Sequence, residues 1–141
     1  MNAIQLALLA AVFWGMATVF DKLGVRGISA PLAVAVRSLF VGAVMLVYLL
    51  IAGQARELMQ IKGYTFVFLA LSAICAGLVG QALYFAAMQR GQASTVVPIV
   101  GSYPLAAAVL GVMVFRESIT PAKVLGVLLV VGGVALLGSQ R

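Results

Sequence analysis

The sequence contains no histidine, one cysteine and only three acidic residues among 141 positions. A single cysteine cannot form an intrachain disulfide, and without histidine there is no Cys/His metal site and no imidazole base. No nucleophile–base pair is visible either. We therefore expect no metal, no cofactor and no enzymatic activity. Cys75 lies in an apolar run, where a small buried or lipid-facing residue is the simplest interpretation.

Charge is also scarce. Only 9% of residues are charged and 65% are hydrophobic, with a mean hydropathy of +1.21, whereas a soluble domain carries roughly one quarter charged residues. This composition predicts an integral membrane protein surrounded by the lipid bilayer. The net charge of +6 comes from nine Lys and Arg residues scattered singly between apolar runs. Because there is no basic run, we expect no nucleic-acid partner.

Five apolar runs are long enough to cross a bilayer, which predicts an all-α membrane bundle of five transmembrane helices in a single domain of residues 1–141. The first run ends at Asp21, and Pro31 suits the first turn of the second helix. Thr120 offers an N-cap for the fifth, with Pro121 at its first helical position. The predicted spans are residues 4–20, 31–52, 64–88, 93–115 and 121–137.

The fourth run is interrupted by two prolines, Pro98 and Pro104. In a continuous helix, Pro104 would remove the hydrogen bond to the carbonyl of Val100, four residues earlier. Inside a bilayer that carbonyl must find a neighbouring group or a wet cavity. We therefore predict a kinked helix that lines a cavity. Between the prolines the sequence also carries Gly101, Ser102 and Tyr103.

Four unusual residues lie at similar depth in their predicted spans, roughly 9 to 14 Å from one common side of the membrane at 1.5 Å per residue. They are Trp14, Arg37, Gln81 and Ser102. Arg37 either snorkels to the interface or faces the bundle and meets an anion, which is Asp21 or a solute. Polar groups on the third span either bond neighbouring helices or contact solute. Trp14 is either an interface anchor or a bundle residue. The predicted substrate cavity comprises Trp14, Arg37, Gln81, Tyr84, Ser102 and Tyr103.

Small residues on the last two spans permit close helix approach, and we assign them to packing. They are Gly101, Gly111, Gly126, Gly132 and Gly133. Arg116 and Glu117, with Lys123 nearby, form an interfacial charge cluster. Since no acidic residue lies inside a predicted span, the sequence places no carboxylate for proton transfer at the midplane.

Cations divide almost evenly between the two sides of a five-span chain. Arg56, Lys62, Arg116 and Lys123 lie on the N-terminal side; Lys22, Arg26, Arg90 and Arg141 lie on the other, with Arg37 a possible fifth. The usual cytoplasmic excess of cations is therefore nearly absent. Either other features or a partner chain fix the orientation, or the chain inserts both ways and opposite copies assemble as an inverted pair.

The residues also resemble a known family, the EamA-type domain of the drug/metabolite transporter superfamily. The resemblance covers essentially the whole chain and one complete five-helix domain. Individual motifs are weak, whereas their order and spacing are fairly specific. The residues that carry it are Phe13-Trp14-Gly15, Lys22, Pro31, Arg37, Leu83-Tyr84-Phe85-Ala86-Ala87, Ala93, Pro104, Phe115-Arg116-Glu117-Ser118-Ile119 and the run 126–137.

Members of that family usually carry two such domains with ten helices in inverted arrangement, and they export amino acids, metabolites or other small solutes. The resemblance therefore implies a half-size transporter subunit in the plasma or inner membrane. It would work by alternating access as a homodimer, possibly inverted, or with a sister chain. The alternative is a non-transporting accessory subunit, for example in lipid-linked sugar translocation. The related four-helix multidrug transporters use a glutamate in their first span, which this sequence lacks.

Overall fold

The computed structural model describes residues 2–116, 118 and 120–138. Glu117 and Ile119 of the family motif, and Arg141 of the cation count, lie outside these residues. Every regular element in the described part of the chain is helical, which confirms the all-α class. The helices are α1 (Ala3–Gly24), α2 (Ala30–Ile51), α3 (Ala55–Leu58), α4 (Gly63–Ser72), a π-helical segment (Ala73–Gly80), α5 (Gln81–Arg90), α6 (Ala93–Val100), α7 (Tyr103–Phe115) and α8 (Pro121–Gly138).

Four helical stretches have the length and apolarity of membrane spans, and a shorter apolar helix follows them. The four are Ala3–Gly24, Ala30–Ile51, Gly63–Arg90 and Ala93–Phe115, and the shorter one is Pro121–Leu137. At 1.5 Å per residue, a helix of 22 residues is about 33 Å long and matches a hydrocarbon core of about 30 Å. The protein is therefore a multi-pass membrane protein.

Two helix starts follow the local rules read from the sequence. The Ser29 hydroxyl accepts a hydrogen bond from the Leu32 amide at 3.4 Å, with Pro31 in the first turn of α2. The Thr120 hydroxyl accepts from the Lys123 amide at 3.3 Å ahead of α8. Both side chains satisfy an amide that has no partner within its own helix.

The first helix continues four residues beyond the expected end at residue 20. Asp21 and Lys22 lie in its last two turns and not in the connection that follows. Contacts with the rest of the bundle explain the extension, since the Lys22 ammonium donates to the carbonyl of Met88 on α5 and Asp21 pairs with Arg37 on α2. An acidic residue therefore does lie inside a helical span, contrary to the expectation from the sequence.

The third span contains a π-helical segment that the sequence did not predict. Between Ala73 and Gly80 the backbone is wound more widely than an α-helix, and the Gln81 amide bonds back to Ala76, five residues earlier. A side chain at Gly80 would place its Cβ 3.0 Å from the carbonyl oxygen of Cys75. Glycine at position 80 therefore permits this close backbone approach.

The fourth span, Ala93–Phe115, is interrupted by a two-residue turn at Gly101–Ser102 that separates α6 from α7. The Gly101 amide closes the end of α6 on the Val97 carbonyl at 2.7 Å. Pro98 lies inside α6, whereas Pro104 lies in the first turn of α7. A proline costs little in a first turn, because its missing amide would have no partner within the helix anyway. The Val100 carbonyl is thus not released by a proline in mid-helix.

The chain falls into two compact units divided between Arg90 and Gly91. In the first unit α5 packs against α1 and α2, and the buried side chains lie where these helices meet: Val25, Ala30, Ala33, Val34, Phe85 and Met88.

In the second unit α6 packs against α8. Gly111 on α7 is buried, whereas Gly126, Gly132 and Gly133 on α8 are exposed. An added Cβ at Gly126, Gly132 or Gly133 would meet no described atom within 4 Å. Close helix approach within the described chain therefore does not depend on these three glycines.

Candidate functional site

An ion pair joins α1 to α2 within the first unit. Arg37 Nη1 lies 3.6 Å from Asp21 Oδ1, with side-chain exposures of 44% and 16%. Arg37 thus turns toward the bundle and does not simply extend to the membrane surface, and of the two anions expected for it the structure shows Asp21. Removing either member would leave a charge without a counterion inside a span, which is costly in a low-dielectric environment.

Aromatic side chains from α5 border this ion pair. The guanidinium carbon of Arg37 lies 6.0 Å from the ring centroid of Phe85, at the outer limit of a cation–π contact. Phe85 is 2% exposed and stacks obliquely on Tyr84, with ring centroids 5.7 Å apart. The pair is therefore held against a rigid apolar wall.

Two polar atoms on α5 are buried without a hydrogen-bond partner among the described residues. They are Gln81 Nε2 and the Tyr84 hydroxyl, on side chains one turn apart. The hydroxyl lies close enough to the Asp21 carboxyl for a weak hydrogen-bonding interaction, although it forms no hydrogen bond of full geometry among the described residues. Since buried polar groups in proteins are nearly always satisfied, the Gln81 amide nitrogen can donate to a solute or water, and the Tyr84 hydroxyl can either donate or accept.

A cavity of about 400 Å³ lies beside the ion pair, and we call it the inner cavity. Its walls come from α1, α2, α5 and the connection between α1 and α2, and they are mostly apolar, with Asp21 and Arg37 supplying the charge. A site of this kind, apolar with a few polar groups, is typical of small-molecule binding. The residues that line it are Ala17, Phe20, Asp21, Gly24, Val25, Ile28, Ala33, Val36, Arg37, Phe40 and Phe85.

A second cavity of about 490 Å³, the outer cavity, lies where α1 and α5 end. It is more polar than the inner cavity, and two of its walls carry positive charge. The residues that line it are Lys22, Val25, Arg26, Gly27, Ile28, Met88 and Gln89.

The residues predicted for the cavity fall in different places. Arg37 lines the inner cavity, whereas Gln81 and Tyr84 are not among its described lining residues. Their polar atoms are buried one turn apart on α5. Trp14 is 63% exposed on α1 and is not among the described lining residues. Ser102 and Tyr103 belong to the second unit, at the turn between α6 and α7, where Tyr103 is 59% exposed.

Three residues of the site were not identified from the sequence as site residues. The sequence predicts Asp21 just beyond the first span, as one of two possible anions for Arg37 but not as a residue of the cavity. Phe85 was noted only as part of a motif. Gln89 donates from Nε2 to the carbonyls of Val25 at 3.0 Å and Ile28 at 2.8 Å. No local sequence pattern predicts these contacts.

The second unit has an apolar groove of about 580 Å³ between α7 and α8. Pro104 and Gly126 lie on its walls, and Lys123 is the one charged residue among those that line it in the described chain. An apolar groove of this kind suits contact with lipid or another helix.

Comparison with known proteins places this arrangement in a family. Residues 1–139 match the model of the EamA-like transporter family. A protein described as an uncharacterized transporter in the cobO 3′ region of Sinorhizobium sp. is 33% identical over 131 residues, which are 93% of this chain and 92% of the relative. An uncharacterized protein of Methanocaldococcus jannaschii is 28% identical over 140 residues, covering 99% of this chain and 98% of the relative. No solved structure matches.

The motifs in the sequence pointed to the same family, and the match extends across almost the whole chain. Both relatives are matched over nearly their full length, so each is about as long as this chain. This membrane protein therefore belongs to the EamA-like transporter family.

Proposed function

We propose that this protein moves small polar or amphipathic solutes across the plasma or inner membrane by alternating access, as a dimer. The observation that supports it is the Asp21–Arg37 ion pair inside the spans, beside the inner cavity. Ionisable residues within spans are costly and typically mark the path of a solute. The unpartnered Tyr84 hydroxyl beside the pair supplies a further polar contact.

The pair favours a solute that carries both charges. A purely anionic solute on Arg37 would leave Asp21 without its cation, and a purely cationic one on Asp21 would leave Arg37 without its anion. A zwitterion can replace each partner in turn and keep both charges compensated during the exchange. The proposed substrates are therefore small zwitterions first, and polar amphipathic solutes of the same size second.

The length of the matched relatives supports the proposal that the protein assembles as a dimer. Two five-span units build one inverted repeat around a central site, and the relatives above are themselves about this length. A Cβ added at Gly126, Gly132 or Gly133 of α8 would meet no described atom within 4 Å, which leaves a face for a second copy or a sister chain. The nearly balanced cations are compatible with insertion in both orientations.

Flux measured in vesicles containing the purified protein tests the proposal. We expect uptake of labelled small amino acids, and at least a tenfold loss on Arg37→Ala with normal assembly. Arg56→Ala is the matched control, because Arg56 is an exposed arginine on α3, outside the cavities. No flux from the wild-type protein, together with co-purification of an enzyme or sister chain, would favour the accessory-subunit alternative. Normal flux in Arg37→Ala would remove Arg37 from the site.

Orientation is tested separately by labelling single cysteines from each side of the membrane. Ala55 and Gln92 lie in connections on opposite sides of a five-span chain, and each is replaced by cysteine in a Cys75→Ser background. Labelling of both positions from both sides supports dual topology and an inverted pair. Labelling of each position from one side only, with the two sides opposite, contradicts dual topology.

A further inference from the structure

The inner and outer cavities share two wall residues, Val25 and Ile28. Both belong to the connection between α1 and α2, residues 25–29. Val25 is 3% exposed, so its side chain is packed between helices, whereas Ile28 is 37% exposed. This short stretch of chain is therefore the partition between the two cavities.

One side chain fastens both residues of the partition. The Gln89 amide nitrogen donates to the Val25 carbonyl at 3.0 Å and to the Ile28 carbonyl at 2.8 Å. Both hydrogen atoms of one amide group are thus engaged by the two residues that the cavities share. Gln89 is the penultimate residue of α5, so the partition is tied to a helix that also supports the ion pair.

The partition has the local features of a segment that can move. Gly27 has a φ of +77°, and nothing described lies within 4 Å of a Cβ added there. A glycine can leave this conformation at little steric cost, which suits a hinge. The tie itself consists of two hydrogen bonds, each of modest net strength. Release of Gln89 itself breaks only these two hydrogen bonds, whereas opening of the partition also shifts the buried Val25 side chain.

We propose that the Val25–Ile28 partition is a gate between the outer and inner cavities, and that Gln89 is the latch that holds it closed. The inference rests on the proposed function in one respect, namely that a solute uses the passage. The latch and the gate are features of the first unit alone and are testable without transport.

The charges on the two sides of the gate suggest the order of events. Lys22 and Arg26 line the outer cavity, and no acidic residue lies among its described wall residues. A positive cavity raises the local concentration of solutes that carry a carboxylate or phosphate group. Opening of the gate then brings such a group within reach of Arg37, which already has Asp21 as a counterion. The gate thus separates an attracting site from a binding site.

Thiol labelling of the inner cavity tests the latch directly. Ala33 lines the inner cavity and is 7% exposed, so Ala33→Cys in a Cys75→Ser background reports on opening. The protein is placed in lipid nanodiscs, where both faces are reachable, and a membrane-impermeant methanethiosulfonate is added. We expect slow labelling with Gln89 intact. Gln89→Leu and Gln89→Glu, which cannot donate the two bonds, should each accelerate it by about tenfold or more.

Gln92→Leu is the matched control, because Gln92 is an exposed glutamine with no side-chain cap bond to α6, and it should leave the rate unchanged. The two Gln89 variants differ in polarity, so a fold defect in one leaves the other to decide. Equal labelling rates in the Ala33→Cys protein with Gln89 intact and in both Gln89 variants overturn the latch. Fast labelling of the Ala33→Cys protein with Gln89 intact overturns it as well. Accelerated labelling together with no wild-type flux supports the gate and removes the transport proposal.

Discussion

The guanidinium of Arg37 lies 3.6 Å from the carboxylate of Asp21, so that α2 and α1 are joined by opposite charges within helical spans. Asp21 is the more enclosed of the two, at 16% exposure against 44% for Arg37. The enclosed carboxylate depends on the arginine for compensation more than the arginine depends on it. Comparing the stability of the single variants with that of the double variant therefore tests how much the two charges depend on each other.

Neutralising one member of the pair should cost more than neutralising both. We expect Arg37→Gln to lower the free energy of unfolding by about 1–3 kcal/mol, less than the loss at a fully buried pair, because Arg37 is partly exposed. Asp21→Asn/Arg37→Gln should recover most of that loss. Thermal unfolding in detergent of the wild type, Asp21→Asn, Arg37→Gln and the double variant gives the double-mutant cycle. Strictly additive changes would mean that the two charges do not interact.

Tyr84→Phe should separate stability from transport. The hydroxyl is buried and unpartnered among the described residues, so its removal leaves stability unchanged or raises it by about 1 kcal/mol. Flux should fall if the hydroxyl contacts solute. Tyr48→Phe is the control, since Tyr48 is 54% exposed on α2. Thermal midpoints and vesicle flux are measured on the same preparations, and a destabilised Tyr84→Phe would show that the hydroxyl is bonded in the membrane.

Two glycines of the π-helical segment should respond oppositely to alanine. At Gly80 the new Cβ would lie 3.0 Å from the Cys75 carbonyl oxygen, whereas at Gly77 it would meet nothing within 4 Å. We expect Gly80→Ala to destabilise the protein by about 1–3 kcal/mol. Gly77→Ala should be neutral or stabilising by up to about 1 kcal/mol. Equal thermal midpoints for the two variants would argue against the wide winding at Gly80.

The single tryptophan reports on its own surroundings. Trp14 is 63% exposed on α1, and an apolar helix exposes such a side chain to lipid. Its fluorescence should therefore be quenched strongly, by about half or more, in bilayers of brominated lipid. A Trp14→Phe variant supplies the background. Weak quenching by brominated lipid combined with strong quenching by a water-soluble agent would place Trp14 in an aqueous cavity instead.

The apolar runs and the residues at their ends predict most of the helices. Lengths of about 20 apolar residues fixed the spans, and Ser29 and Thr120 marked helix starts by the side-chain oxygens that they supply. The π-helical segment is not predictable from its sequence, AICAGLVG, because its small apolar residues are equally common in an ordinary α-helical span. Backbone winding there depends on which hydrogen bonds form, and composition does not record that choice.

The candidate site was only partly accessible from the sequence. The cost of placing Arg37 in a bilayer marked it without any structure, and Asp21 was already one of its two possible anions. The contacts of Gln89 join residues more than 60 positions apart. Such contacts depend on how α5 packs against the α1–α2 connection, and a periodic pattern within one helix cannot encode them.

The turn at Gly101–Ser102 changes the electrostatics of the fourth span, although no residue there is ionisable apart from Tyr103. Ending α6 and starting α7 inside one apolar stretch brings the negative end of one helix dipole and the positive end of another to bilayer depth, each worth about half an elementary charge. Because the two ends are only two residues apart, their opposite partial charges largely cancel at a distance, but in a low-dielectric medium each can act on a group placed directly beside the turn. The span thereby carries a fixed polarity that mutation of side chains alone would leave in place.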